Sequence, residues 1–126
     1  MNLRLLLDSH VLLWALLGSA RLLMKGRRAI YDAQEAFVSA VSAWELSIKA
    51  AAGKLRTPEG LEDEIRRSGF LPLPVTMAHG IAAAKLAPLH KDPFDRMLVA
   101  QASLESLTLL TADARLQSYG VAVMLA

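Results

Sequence analysis

The sequence predicts an α/β fold whose central sheet is parallel or mostly parallel and covered by helices on both faces. Three observations carry that reading. Five short apolar runs alternate with longer stretches of helical spacing. Three of those runs lead into an acidic residue. No internal repeat, low-complexity segment or linker divides the 126 residues, so a single domain spanning 1–126 is expected.

The elements follow in order. Leu3–Leu7 reads as a strand ended by Asp8 and Ser9, and Val11–Leu17 continues with helical spacing as far as Gly18. Arg21–Ala33 is an amphipathic helix, with Leu22, Leu23, Ala29 and Ile30 on one side. Ala36–Ala40 is a second strand. Ser42 then opens a helix whose apolar face is Val41, Trp44, Ile48, Ala51, Ala52 and Leu55, with Gly53 near its end. Thr57-Pro58-Glu59 starts another helix through a cap and an N1 proline, ending near Gly69. Phe70–Val75, interrupted by Pro72 and Pro74, fits an edge strand because proline cannot donate to a ladder. Thr76–Leu86 is helical. Asp92-Pro93 caps the helix Phe94–Ser106, Leu107–Leu110 is a strand, Ala112–Ser118 a short helix and Val121–Met124 the last strand.

Composition narrows the chemistry. The absence of cysteine excludes disulfides, thiolate metal sites and cysteine nucleophiles. Fourteen Lys and Arg against twelve Asp and Glu leave a formal charge of +2, too small to mark a strongly basic nucleic-acid binder. The 54% hydrophobic content exceeds that of ordinary soluble domains and points to an interface. Met1–Ala20 imitates a secretory signal, but Asp8 and His10 interrupt its apolar stretch. A soluble, cytoplasmic chain without a membrane span is expected.

The acids are the informative residues. Asp8 follows the first strand, Glu45 comes shortly after the second, and Asp113 follows Leu107–Leu110. In open parallel sheets such junctions converge on one crevice beyond the carboxyl ends of the strands. Asp95 shares a helical stripe with Leu98, Val99 and Ala102, and Glu45 one with Val41, Trp44 and Ile48. A buried carboxylate needs a partner, and neither stripe carries Lys or Arg, so a hard cation is the economical answer. Mg²⁺, or Mn²⁺ in its place, suits oxygen ligands from a few carboxylates.

Each acid also has a structural reading. Ser42-Ala43-Trp44-Glu45 has the form of a capping box, and Asp95 sits at N3 of its helix, where the helix dipole favours negative charge. Asp92 before Pro93 is accounted for as a cap and is left out of the ligand set. His10, His79 and His90 lack metal-ligand spacing; His10 lies near Asp8, within reach of a substrate. It is the joint pattern of the four acids that favours a shared site. Arg96, Lys49 and Lys91 flank it as candidate phosphate contacts.

These residues, taken together, resemble the PIN-domain ribonucleases, and specifically the VapC toxins of toxin–antitoxin pairs. The likeness runs through Leu5-Leu6-Leu7-Asp8-Ser9-His10-Val11-Leu12-Leu13-Trp14, Val38-Ser39-Ala40-Val41-Ser42-Ala43-Trp44-Glu45-Leu46 and Gly53-Lys54-Leu55. It continues in His90-Lys91-Asp92-Pro93-Phe94-Asp95-Arg96-Met97-Leu98-Val99-Ala100-Gln101-Ala102 and Leu109-Leu110-Thr111-Ala112-Asp113. The resemblance implies a PIN-like three-layer α/β/α sandwich with a mostly parallel central sheet. It also implies a Mg²⁺ or Mn²⁺ site at Asp8, Glu45, Asp95 and Asp113, endonucleolytic cleavage of RNA, a homodimer and a cognate antitoxin. Ser9 stands where the family often has threonine and keeps the hydroxyl; Thr111 is expected to tie down the loop before Asp113. The alternatives are a non-catalytic RNA-binding or scaffold protein of the same fold, or a DNA-directed PIN nuclease.

Overall fold

In a computed structural model describing residues 3–126, the sheet is built around β1 (Arg4–Leu7). Met1 and Asn2, and with them the start of the signal-like stretch, lie outside the described residues. To one side of β1 lie β2 (Glu35–Ser39) and β3 (Leu71–Leu73), to the other β4 (Thr108–Thr111) and β5 (Val123–Leu125). The order is β3-β2-β1-β4-β5 and every pairing is parallel. The expectation of a mostly parallel sheet becomes a wholly parallel one, and β3, with Pro72 in it and Pro74 just after, lies at an edge.

Strand alternation divides the core. Leu5 and Leu7 point into one apolar cluster with Val11, Leu12, Leu46 and Ile65, while Leu6 points into another with Leu98, Val99, Leu109 and Leu116. Helices α1 (Ser9–Leu17), α2 (Met24–Asp32) and α4 (Leu61–Arg67) contribute to the first cluster, and α6 (Pro93–Glu105) to the second. Helix α3 (Ala40–Ala51) contributes to both, through Leu46 and Val41, and α5 (Met77–Lys85) packs on α6. Sheet and helices thus form the three layers of an α/β/α sandwich. Among the described residues no helix is long and apolar enough to cross a membrane.

Several helix boundaries differ from the sequence reading for identifiable reasons. Helix α2 starts at Met24 rather than Arg21, because the Arg27 guanidinium takes the carbonyls of Ser19 (2.6 Å) and Leu22 (3.0 Å) and holds the preceding residues as a turn. Helix α4 starts at Leu61, not at Thr57-Pro58-Glu59, since Gly60 is left-handed (φ 66°) and breaks any helical path through it. Helix α3 begins at Ala40: Ser39, directly at the end of β2, caps it by accepting from Val41 N at 3.0 Å. Ser42 is therefore inside the first turn, and no capping box joins it to Glu45. The stretch after Asp113 is a 3₁₀ helix, Ala114–Tyr119.

The core-facing side of α3 also differs. Val41, Ser42, Glu45 and Leu46 are buried, whereas Trp44 and Ile48 are 61% and 44% exposed. The predicted stripe of Val41, Trp44 and Ile48 does not exist as a buried face. Trp44 instead lies edge-on against Phe94, with ring centroids 5.3 Å apart.

Leu6 occupies the middle strand with no exposed surface, so a cavity there has no neighbour free to collapse into it. Leu6→Ala is expected to cost about 2–5 kcal/mol in urea unfolding. A loss below about 1 kcal/mol would mean that the β1 core is not rigidly packed.

Candidate active site

The strand order reverses direction at β1, which places a topological switch between β1 and β4, where crevices form beyond the strand ends in parallel sheets. Asp8 leaves β1 and Asp113 follows β4, so both stand at that crevice. They line one open cleft of 520 Å³ together with His10, Trp14 and Arg115. Asp95, one turn into α6, and His90, in the loop before it, approach from the second helical layer. The ligand atoms of His90, Asp95 and Asp113 all lie within 4.8 Å of one another, the sole group of three such side chains found among the described residues.

Each acid is fixed by its neighbours. Asp8 caps α1: one carboxylate oxygen accepts from Val11 N (2.8 Å) and the other from the Thr111 hydroxyl. Thr111, fully buried, also accepts from Asp113 N at 3.0 Å, so a single hydroxyl joins the ends of β1 and β4. Asp113 caps the 3₁₀ helix through Arg115 N and is gripped by the Arg115 guanidinium at 2.8–3.2 Å. Asp95 accepts from, or shares a proton with, His90 Nε2 at 2.7 Å. Glu45 is 4% exposed and takes the Ser9 hydroxyl on one oxygen (2.6 Å) and Lys49 Nζ on the other (2.8 Å). Its charge is near enough to act on Asp8, and both Glu45 and Asp8 lie outside the 4.8 Å group.

The flanking residues were assigned less well by sequence. Lys49, one turn after Glu45, is the cationic partner that the stripe argument missed. Ser9 is buried, its hydroxyl committed to Glu45. Arg96, expected as a phosphate contact, has its guanidinium committed to backbone: it donates to the carbonyls of Ala83 at the end of α5 and of Leu86, Ala87 and His90 in the loop before α6. Lys91 is exposed. Asp92 is the α6 cap, accepting from Phe94 N and Asp95 N. His79, buried, completes a capping box with Thr76 and meets Glu105, far from the cleft in role. His90 was missed; its signal was the cap-proline turn of Asp92-Pro93, which folds the residue five positions before Asp95 back onto it.

The PIN domain family model matches residues 5–122. Ribonuclease VapC22 from Mycobacterium tuberculosis (strain ATCC 25618 / H37Rv) is 33% identical over 121 residues, covering 90% of each chain. The chain belongs to the PIN-domain family. Solved structures agree on the fold. A chain of the Rickettsia felis VapBC2 complex with a promoter DNA fragment superposes with a TM-score of 0.69 over 98% of both chains at 10% identity. One of Neisseria gonorrhoeae FitAcB gives 0.67 at 18% identity, over 95% of this chain and 96% of that one.

The electrostatics of this PIN domain are those of a crowded anionic crevice. Burial pushes the Asp8 carboxyl above its usual range, against the pull of the Thr111 and Val11 hydrogen bonds, and the nearby Glu45 charge pushes the same way. Burial likewise raises Asp95, against its hydrogen bond from His90, with the charges of Asp92 and Asp8 adding to the rise. Asp113 is held low, chiefly by Arg115. Carboxylate oxygens from separate parts of the chain, two of them on acids whose burial disfavours an uncompensated charge, are the donors a hard divalent cation takes, so the donor set fits such an ion.

A raised carboxyl pKa means that folding favours the protonated acid. The contribution of Asp8 and Asp95 to stability is therefore present below the ordinary carboxylate pKa of 3.8 and lost as pH rises through their raised values. In cation-free buffer Asp8→Asn keeps an acceptor for Val11 N and removes the buried charge. Its melting temperature should exceed that of the unsubstituted protein at neutral pH, with the gap closing on acidification. A lower melting temperature throughout would show that the carboxylate is not under electrostatic stress.

Proposed function

We propose that the protein is a divalent-cation-dependent endoribonuclease of the VapC type, the toxin of a toxin–antitoxin pair. Residues 1–126 would form a single nuclease domain acting on RNA in the cytoplasm. One observation carries the reading: Asp113 lines one cleft with Asp8 at the carboxyl ends of β1 and β4, and its carboxylate also lies within 4.8 Å of ligand atoms of Asp95 and His90. The kinship to a protein named as a ribonuclease supplies the substrate class. The structural neighbours include toxin–antitoxin complexes, which supports a cognate antitoxin as partner. A homodimer is consistent with the exposed Trp44, Ile48, Met77 and Ile81.

In this reading Asp8 and Asp95 hold Mg²⁺ or Mn²⁺, and Asp113 completes the site. The bound cation supplies positive charge against the developing charge of the phosphodiester transition state and lowers the pKa of water. Glu45 would act through its neighbours, holding Ser9 and through it the start of α1 next to Asp8. Thr111 keeps Asp8 and Asp113 in register, since its one hydroxyl serves both. Lys49 neutralises Glu45, and exposed Lys91 and Arg115 offer positive charge to phosphates at the rim.

Cleavage of a labelled RNA in Mg²⁺ should fall by about 100-fold or more in Asp8→Asn and in Asp95→Asn, and vanish with chelator. Full activity in either variant, or activity in the presence of chelator, would overturn the assignment.

A further inference from the structure

His90 has no role in a centre made of carboxylates, yet its ring is built into this one. Its Nε2 lies 2.7 Å from Asp95 Oδ2, and its ligand atom stands within 4.8 Å of those of both Asp95 and Asp113. The imidazole is only 12% exposed. The backbone behind it is pinned as well: His90 O accepts from the Arg96 guanidinium at 3.2 Å and from the Tyr119 hydroxyl at 3.4 Å. Arg96 also takes the carbonyls of Ala83, Leu86 and Ala87, so one guanidinium fixes the whole loop that presents the ring. A ring needed only to neutralise Asp95 would not require such fixing, since a flexible lysine does that for Glu45.

Resting on the cation-dependent reading above, we infer that His90, Asp95 and Asp113 form a nitrogen-containing metal position that binds transition ions such as Mn²⁺ and Co²⁺ in preference to Mg²⁺. Imidazole adds a donor that transition ions accept readily and Mg²⁺ does not, while two carboxylates supply the charge. His90 Nε2 and Asp95 Oδ2 face each other in the cation-free arrangement. To hold an ion, Nε2 would present its lone pair, any proton on it passing to Nδ1 or to solvent, and Asp95 and Asp113 would present carboxylate oxygens. Arg115, which grips Asp113 in the absence of a cation, is exposed and free to swing outward. Asp8, joined to Asp113 through the Thr111 hydroxyl, would add its oxygens to the same centre.

The test uses the full chain stripped with chelator. Calorimetric titration with Co²⁺ and with Mg²⁺ is compared between the unsubstituted protein, His90→Gln and, as a control imidazole near Asp8, His10→Gln. His90→Gln should weaken Co²⁺ by about 100-fold or more, beyond the roughly 10–100-fold typical of a residue that only supports a ligand, and weaken Mg²⁺ by far less. Mn²⁺ electron spin-echo spectra should show nitrogen coupling in the unsubstituted protein and in His10→Gln, and none in His90→Gln. Equal losses for both ions, or nitrogen coupling that survives in His90→Gln, overturns the proposal. Absence of nitrogen coupling in the unsubstituted protein overturns it even where the variant does not fold. Asp95→Asn and Asp8→Asn separate the two levels: if they abolish metal binding while His90→Gln changes nothing, only the His90 inference fails. If neither acid matters to binding, the cation-dependent reading fails with it.

Discussion

Anionic side chains gathered where the sheet changes direction are the constraint on which the rest of this structure depends. A parallel sheet can place them together only at the carboxyl ends of its middle strands, and only if each strand passes straight into a helix or turn. β1 and β4 do this with Asp8 and Asp113, and the Thr111 hydroxyl locks the two junctions to each other. The helical layers then bring Glu45 and Asp95 to the same end. The buried leucines of β1 and β4 supply the apolar free energy that holds this arrangement against the repulsion of its charges.

Capping and ligation are the same geometry used twice. A carboxylate at a helix N-terminus is stabilised by free backbone N–H groups and by the helix dipole, which helps it remain ionised where burial opposes ionisation. Asp8 and Asp113 both serve as caps, each with one oxygen engaged by a backbone N–H of the next turn. Their structural role thus prepares them for a cation. Asp92, also a cap, shows the limit of the logic: both of its contacts go to α6, and it reaches the centre only through its charge, which acts on Asp95 and Arg115.

The layered architecture was legible in the sequence because its signals are local. The continuous apolar run Leu5-Leu6-Leu7, buried on both faces of the sheet, proline at the edge strand β3 and the Asp92-Pro93 cap each depend on a few neighbouring residues. The four acids were legible because they recur at strand-to-helix junctions. Contacts made across the fold were not. Trp44 and Ile48 have core composition, but the demand of buried Glu45 for Ser9 and Lys49 sets the rotation of α3 and turns them outward. Arg96 has the composition of a phosphate ligand, yet four backbone carbonyls at the end of α5 and in the loop before α6 claim it. His90 escaped notice because its distance from Asp95 is set by a loop, and no periodicity encodes a loop.

The central claim, a cation shared by carboxylates at the β1–β4 crevice, is tested most directly by anomalous diffraction from crystals grown with Mn²⁺. The account predicts an anomalous peak at roughly 2.1–2.3 Å from carboxylate oxygens that include Asp95 and at least one of Asp8 and Asp113. Well-ordered Asp8, Asp95 and Asp113 with no peak between them at saturating Mn²⁺, or a peak only at unrelated surface acids, would contradict it.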